Sequence, residues 1–272
     1  MLPNKFFPKQ KDNKMKHEGD VFNARKVFFK KKNNNLKFLL RTRYDWNDKQ
    51  IDNYINETQI KSPKIIELGC GAGFIKFFIK KKIILTDIKK SSWVDFPTNA
   101  EDLKKIRNNS TDILILSHVF HHIKNINLFF INAMRVLKKN GIIIIQDPEL
   151  SFTFKFIIYL MKHEGYDLTA NPYYNFKEYK KTDPWAGNVA FAKLVFSDQK
   201  KFEKRFPSLK IMENSFAEFF IFALSGGVVA KTFTINLPKF VLFLFHYLDI
   251  FVISLCPSIF PWSRRVVIKK IK

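Results

Sequence analysis

The sequence predicts an α/β fold with a parallel, doubly wound sheet. Apolar runs typical of strands alternate with segments of helical periodicity between residues 60 and 150. Glycines, acids or histidines follow these runs at their carboxyl ends, where ligands bind in open α/β sheets. A length of 272 residues and an apolar content of 46% suffice for one large domain, or for one domain with an inserted cap.

The first predicted strand, residues 64–68, is a short apolar run bounded by a proline and a glycine. Gly69, Gly71 and Gly73 follow, and then an apolar segment that predicts a helix over residues 74–80. Glycines let the chain turn sharply and let a ligand approach, and a helix N-terminus offers free N–H groups. The pattern predicts a nucleotide-type cofactor site; glycines that serve only tight packing are the alternative.

The glycine spacing does not fit a dinucleotide site, because the sixth position counted from Gly69 is Phe74 and not glycine. An acid, Glu67, instead precedes the turn within the strand. The second predicted strand, residues 83–87, ends in another acid. Asp87 can accept hydrogen bonds from both ribose hydroxyls of a nucleoside, and a plain surface acid is the alternative.

The later segments continue the alternation. A short third strand is predicted within residues 91–96, and a helix is predicted to begin at residues 99–103. Residues 111–117 are apolar inside, as a central parallel strand should be. An amphipathic helix over residues 127–139 then leads to a fifth strand at residues 142–146.

The N-terminal part predicts an arm and a helix ahead of the first strand. Residues 1–35 are rich in lysine and asparagine and predict a basic, partly disordered arm. Residues 36–57 have a helical pattern, in which Asp45 is a candidate N-cap for a helix over residues 46–56. Such a helix either closes the cofactor pocket or packs on the edge of the sheet.

Charge and cysteine content limit the partners and the compartment. Lys and Arg number 47 against 24 Asp and Glu, and the net charge of +23 favours nucleic acid or an anionic membrane surface. The two cysteines, Cys70 and Cys256, predict neither a disulfide framework nor a metal site. A reducing cytosol, or the inner face of a membrane, is the expected location.

Four segments together resemble the type 11 methyltransferase domain, a family of class I S-adenosylmethionine (SAM)-dependent methyltransferases. They are residues 67–73, 86–88, 118–123 and 135–141. The resemblance covers about residues 60 to 150. It implies a Rossmann-like, mostly parallel seven-stranded sheet, with residues 36–150 as the SAM-binding core.

The resemblance also implies which residues contact SAM. Glu67 would lie beneath the methionine end of the cofactor. Asn99 stands where an acid usually contacts the adenine amino group, and its side-chain oxygen can accept the same hydrogen bond. The implied set is Glu67, Gly69, Cys70, Gly71, Gly73, Asp87, Asn99 and Ser117.

Histidines are the candidate catalytic groups, because three of the six follow the fourth predicted strand. Methyl transfer mainly requires alignment of the reacting groups, and a hydroxyl acceptor also needs a general base. His121 or His122 is the predicted base, and His118, His163 and Glu164 are predicted substrate contacts. The alternative for each histidine is a structural role in shaping the pocket.

The C-terminal half predicts an apolar, mainly helical region inserted over residues 151–262, and a final antiparallel strand over residues 263–272. Its pieces look similar to bacterial methyltransferases of surface-polysaccharide and lipid-linked glycan pathways. Residues 239–260 are apolar, but Asp249 and Pro257 interrupt them, which argues against a membrane span. A core or interface helix and a helix that dips into the bilayer are the remaining alternatives.

The sequence thus predicts a SAM-dependent methyltransferase for a small or lipid-linked acceptor, with a hydroxyl of a glycan or lipid precursor as the methylated group. Two alternatives remain, a nucleic-acid methyltransferase and a non-enzymatic scaffold. The lack of an Asn-Pro-Pro-Tyr motif after the fourth strand disfavours the first. The complete glycine turn with Asp87 disfavours the second.

Overall fold

The computed structural model describes residues 2–8, 17–30, 33–162, 164–177, 187–228 and 232–272. The helices are α1 (His17–Phe28), α2 (Asn34–Thr58), α3 (Ile126–Val136), α4 (Phe152–Met161), α5 (Phe191–Phe196), α6 (Gln199–Arg205), α7 (Phe220–Ser225) and α8 (Lys239–Leu255). The strands are β1 (Lys5–Phe6), β2 (Ile65–Leu68), β3 (Ile83–Asp87), β4 (Phe96–Pro97), β5 (Thr111–Ser117), β6 (Leu137–Pro148), β7 (Tyr166–Asp167), β8 (Leu209–Ala217) and β9 (Ser263–Lys270).

Seven strands form the main sheet in the order β4-β3-β2-β5-β6-β9-β8, which confirms the predicted α/β fold. The first five strands of this order are parallel, and β9 pairs antiparallel with both β6 and β8. The chain moves outward from β2 to β4 and then crosses back to β5 on the other side of β2. This reversal opens a crevice at the carboxyl ends of β2 and β5.

The predicted bounds of β3 and β5 are confirmed. Both strands are mainly apolar and are buried on both faces of the sheet, as expected for central parallel strands. Side chains of the two faces belong to separate core clusters, with Ile66 and Leu114 in one and Ile65 and Ile113 in the other. A two-stranded antiparallel sheet of β1 and β7 lies apart from the main sheet.

Two predicted helices are wrong. A 3-10 helix, Phe74–Phe77, replaces the helix expected over residues 74–80. Residues 99–103 form turns, because Leu103 has a left-handed φ of 45° and the Arg135 guanidinium takes the carbonyl oxygens of Asp102 and Leu103 at 3.0 and 3.1 Å. These carbonyls are the acceptors that a helix would need. The short third strand, predicted within residues 91–96, forms at Phe96–Pro97 as β4.

The helix ahead of β2 is longer than predicted. Helix α2 is continuous over 25 residues, so Asp45 lies within it and is not an N-cap. Its carboxylate instead lies 3.6 Å from the guanidinium of Arg41, four residues earlier on the same face. Part of the predicted arm is also folded, because α1 buries Ala24 and Phe28 in the core.

The chain changes from helix to strand earlier than predicted after β5. Helix α3 ends at Val136, and β6 begins at Leu137, so Asn140 and Gly141 lie within a strand instead of ending a helix. Tertiary contacts explain the difference. The Lys270 ammonium group binds the carbonyl oxygens of Met134 and Leu137, at 2.7 Å each.

The C-terminal half adds β8, β9 and five short or medium helices to the core. Helix α8 buries only Leu242, Asp249 and Ile253, so it is not the core helix that one alternative anticipated. Within the described residues, every helix is too short or too polar to cross a bilayer.

Candidate functional site

The candidate site lies at the crevice between the carboxyl ends of β2 and β5. The glycine turn after β2 and the histidine loop after β5 touch there. A Cβ added at Gly69, which has a φ of 65°, would lie 2.5 Å from a methyl group of Val119. Glycine at position 69 therefore permits both the turn and the close approach of the two loops.

The glycine turn leaves room for a ligand. Gly71 has a φ of 50°, and a Cβ added there would meet no atom within 4 Å. The backbone of the turn is held from outside, since the indole of Trp93 donates to Gly71 O at 2.7 Å and the guanidinium of Arg25 donates to Ala72 O at 2.6 Å. Helix α1, which carries Arg25, therefore lies beside the turn.

Asp87 connects the second strand to the glycine turn. Its Oδ2 accepts a hydrogen bond from the Gly71 N–H at 2.9 Å, and the residue is 7% exposed. A buried carboxylate at the end of β3 is the group expected to accept hydrogen bonds from the ribose hydroxyls of a bound nucleoside.

Replacing Asp87 with alanine is expected to weaken S-adenosylhomocysteine (SAH) binding by about 10- to 100-fold, because a charged hydrogen-bond acceptor is lost. Calorimetric titration measures the affinity. Asp95→Ala is the matched control, since Asp95 also accepts a backbone N–H, that of Leu85 at 2.7 Å, but its side chain is 46% exposed. Equal affinities of the wild type and the Asp87 variant would remove Asp87 from the site.

Glu67 is a buried acid with an unused oxygen. Its Oε2 has no hydrogen-bond partner among the described residues. Burial, followed by the nearby charge of Asp87, raises the pKa of Glu67 to about 8. An uncompensated carboxyl at this place fits a cationic or hydrogen-bonding ligand group, as the resemblance implies for the methionine end of SAM.

The raised pKa of Glu67 predicts a pH-dependent stability. The folded chain binds this proton more tightly than the unfolded chain, so the free energy of unfolding should fall between about pH 5 and pH 8. Glu67→Gln should remove this fall and exceed the wild type by about 2–5 kcal/mol above pH 8. Urea unfolding without cofactor measures both proteins at each pH. Parallel curves for the two proteins would contradict the burial cost assigned to Glu67.

The other predicted cofactor contacts lie at different depths. Cys70 is buried in the turn, where burial raises the pKa of its thiol. Ser117 ends β5, and its Oγ accepts a hydrogen bond from the side chain of Asn47 at 3.3 Å. Asn99 is exposed, and its side-chain oxygen accepts the Glu101 N–H at 2.9 Å. The predicted adenine contact of Asn99 stays a prediction.

The histidine loop places one imidazole against a buried carboxylate. His121 Nδ1 lies 2.9 Å from Asp147 Oδ1, and both side chains are almost fully buried. The same oxygen accepts the Phe120 N–H at 3.1 Å, which fixes the carboxylate. Burial lowers the pKa of His121, so its neutral form prevails at neutral pH.

The second ring nitrogen of His121 is the free basic atom of this pair. Its Nε2 is buried and has no hydrogen-bond partner among the described residues. The nearest acid is Glu164, whose Oε2 lies 3.9 Å away. Burial raises the pKa of Asp147. In the form with Asp147 ionised, its carboxylate accepts the Nδ1–H and the lone pair lies on Nε2, which is the state that suits proton abstraction.

His122 and Glu164 complete a compact group with His121. The two imidazole centroids are 3.9 Å apart. One donor atom from each of the three residues lies within 4.8 Å of the others, a spacing that could hold a metal ion. The sequence predicted no metal here, since its argument considered cysteines and not residues brought together by folding.

The remaining predicted substrate contacts differ in their placement. His118 has a left-handed φ of 56°, and its Nε2 is buried without a partner among the described residues. Burial, and then the charge of Arg43, lower the pKa of His118. His163 lies outside the described residues. The C-terminal half of the chain approaches the histidine loop at Gly187, where an added Cβ would lie 2.6 Å from His121 O.

Sequence reasoning missed a buried ionic network behind the site. The guanidinium of Arg43 on α2 makes two hydrogen bonds to the carboxylate of Glu218, at 2.8 and 2.6 Å. Gln146 on β6 donates to the same carboxylate at 2.7 Å, and its backbone oxygen accepts the His118 N–H. The network therefore links α2 to the backbone of the histidine loop.

The residues present fit a SAM-type cofactor. The glycine turn offers open space at Gly71, Asp87 offers a buried carboxylate, and Glu67 offers an uncompensated buried oxygen. Asn47 adds another buried oxygen without a partner among the described residues. Orphaned polar atoms of this kind usually indicate a ligand or bound water.

Comparison with known proteins agrees with this geometry. The family model described as "Methyltransferase domain" matches residues 66–145, less than a third of the chain, from β2 into β6. The resemblance predicted from the sequence motifs is confirmed over these residues. No curated protein shows significant similarity to the chain.

Solved structures of methyltransferases match the chain at low sequence identity and with TM-scores below 0.5. A SAM dependent methyltransferase from Archaeoglobus fulgidus has 15% identity and a TM-score of 0.46, with 86% of this chain and 99% of that chain covered. The trans-methyltransferase CalH, in complex with SAH, has 14% identity and a TM-score of 0.45, with 92% and 64% covered. The plantazolicin methyltransferase BamL, also with SAH, has 18% identity and a TM-score of 0.42, with 94% and 97% covered.

Proposed function

We propose that this SAM-dependent methyltransferase methylates a hydroxyl group of a small or lipid-linked acceptor, such as a glycan or lipid precursor. The observation that carries the proposal is the His121–Asp147 pair, with a hydrogen-bond distance of 2.9 Å. A hydroxyl acceptor needs a general base, whereas a thiolate or a neutral amine needs none for the attack itself.

His121, Asp147, the glycine turn and Asp87 have separate roles in the proposed reaction. When bound, SAM supplies a methyl group made electrophilic by a positively charged sulfur. His121 takes the hydroxyl proton of the acceptor at Nε2. Asp147 keeps the ring oriented and stabilises the imidazolium through the Nδ1–H. The glycine turn and Asp87 position the cofactor, and such positioning is worth roughly 7–11 kcal/mol.

The lipid-linked character of the acceptor is supported by the surroundings of the histidine loop. The Phe222 ring on α7 lies 6.5 Å from the His118 ring and 6.1 Å from Phe154 on α4. Phe222 thus lies between the histidine loop and α4, a helix with exposed apolar side chains. An acceptor with a polar head and a lipid tail matches that arrangement.

A transfer assay with radiolabelled SAM tests the acceptor class. Lipid-linked sugars, free sugars and RNA are offered separately, and the methylated product is isolated and identified. A methyl ether on the sugar or lipid hydroxyl is expected. Methylation of RNA bases would overturn the proposal, and so would SAH binding without transfer to any hydroxyl acceptor. EDTA tests the role of the histidines. If EDTA abolishes the activity and a divalent cation restores it, His121, His122 and Glu164 bind a metal ion, and His121 is not a free base.

A further inference from the structure

We call the exposed apolar side chains of α8, together with those of α4, whose start adjoins the loop after α8, the apolar face. Large apolar residues recur along α8 every three or four positions, which places them on one side of the helix. Phe240 is 74% exposed and Tyr247 is 68% exposed. Single exposed apolar residues are ordinary, but a contiguous patch indicates an interaction site. The α8 part consists of Phe240, Phe243, Leu244, Tyr247, Leu248, Ile250, Phe251 and Leu255.

The opposite side of α8 holds the helix in place. Asp249, 3% exposed, accepts hydrogen bonds from the N–H groups of Phe219, Phe220 and Ile221, at 2.6 to 3.2 Å. This carboxylate therefore binds the first turn of α7, where negative charge is favourable. Leu242 packs beside it in a small core cluster. The anchoring directs the apolar face outward.

Helix α4 extends the apolar face beyond the end of α8. The Phe152 and Thr153 N–H groups donate to the carbonyl oxygens of Ser258 and Ile259, at 3.2 and 3.1 Å. The start of α4 therefore adjoins the loop that follows α8. The exposed large apolar side chains of α4 are Phe152, Phe156, Tyr159, Leu160 and Met161, and Phe152, Phe156 and Leu160 recur at four-residue spacing.

The charge distribution favours an anionic surface as the partner of the apolar face. Between Lys239 and Arg264 the only charged residue is Asp249, which is buried, so the exposed surface of α8 beyond its first residue carries no charge. Lys155 lies on α4 beside its apolar stripe, and Lys162 caps the C-terminus of this helix. The whole chain has a net charge of +23, which attracts an anionic surface and opposes pairing with a second copy of itself.

We infer that the apolar face docks on an anionic lipid bilayer, with α8 lying in the interface. At 1.5 Å per residue the 17-residue helix is about 26 Å long and cannot span, but it can submerge its apolar side. Because α7 joins α8 to the histidine loop through Phe222, docking sets the site beside the bilayer. The delivery of a lipid-linked acceptor rests on the proposed function, whereas the docking itself does not.

Vesicle co-sedimentation of the full chain tests the inference. Vesicles of phosphatidylcholine and phosphatidylglycerol in equal parts should bind the protein, and phosphatidylcholine alone should bind it more weakly. Roughly 0.5 M NaCl should weaken binding only in part, since apolar insertion is not screened. The triple variant Phe243→Ser, Tyr247→Ser, Phe251→Ser should bind at least about tenfold more weakly.

A second triple variant tests whether the loss of any three exposed apolar side chains weakens vesicle binding, or only the loss of those on the apolar face. Leu128→Ser, Ile131→Ser and Met212→Ser also remove exposed apolar side chains, on α3 and β8, and should leave vesicle binding unchanged. Equal binding of both variants would overturn the inference. A self-association that the α8 variant abolishes, with no vesicle binding by the wild type, would also overturn it and assign the face to a second copy. SAH affinity, measured in parallel, reports the cofactor site independently.

Discussion

His121→Ala is expected to lower methyl-transfer turnover by about 100- to 10,000-fold, the usual contribution of a general base. The loss should fall on turnover, because His121 Nε2 is the unpartnered basic atom and Nδ1 is held by Asp147. The affinity for SAH should stay within about threefold, since the glycine turn and Asp87 are untouched. Radiolabel transfer to the identified acceptor gives the rate, and calorimetry gives the affinity.

His122→Ala is the matched control, because the His122 ring lies 3.9 Å from the His121 ring, whereas the nitrogen placed 2.9 Å from Asp147 Oδ1 is His121 Nδ1. It should lower turnover far less. Asp147→Asn should reduce turnover with unchanged SAH affinity, as expected for a positioning residue. Added imidazole should restore part of the activity of His121→Ala. If that variant keeps a third or more of the wild-type turnover, the base is elsewhere.

Glu218→Ala is expected to destabilise the fold by about 3–5 kcal/mol, because it leaves the Arg43 guanidinium buried without its partner. Arg265 lies close enough for its charge to couple with that of Glu218, and burial lowers the pKa of Arg265. Two cations would then remain in the interior without the carboxylate that compensates them. Urea unfolding measures the loss of stability.

The exposed pair of Arg41 and Asp45, 3.6 Å apart, provides the control on the same helix. Asp45→Ala should change the free energy of unfolding by less than about 1 kcal/mol, as is usual for surface ion pairs. Glu218→Gln keeps hydrogen-bonding capacity, so its loss of unfolding free energy should lie between those of Glu218→Ala and Asp45→Ala. This variant can still be measured if Glu218→Ala does not fold. Equal losses of unfolding free energy in Glu218→Ala and Asp45→Ala would show that the buried network stabilises the fold no more than a surface ion pair does.

The Glu218 network also bears on the site, since it holds α2 against β6. Gln146 contributes its side chain to Glu218 and its backbone oxygen to the His118 N–H. A partly folded Glu218 variant should therefore lose turnover more than SAH affinity. The glycine turn depends instead on β2, β3 and Asp87.

The sequence alone determined the parts of the fold that depend on neighbouring residues. Strands β3 and β5 were predicted with correct bounds because each contains a short apolar run with polar residues on both sides. The glycine turn was recognised for the same local reason, and the family match at residues 66–145 agrees with it. The seven-stranded sheet followed from the order of these segments and the resemblance.

Tertiary structure alone decided the features that depend on distant residues. Asp147 directly follows the predicted fifth strand, residues 142–146, and lies 26 positions from His121 in the sequence, yet it is the residue that holds the His121 ring. Glu218 meets Arg43 across 175 positions. The helix expected over residues 74–80 is a 3-10 turn, and α8, apolar enough for a core, lies mostly exposed. Periodicity records the preference of each segment for burial, whereas partners and exposure follow from which segments the folded sheet brings together.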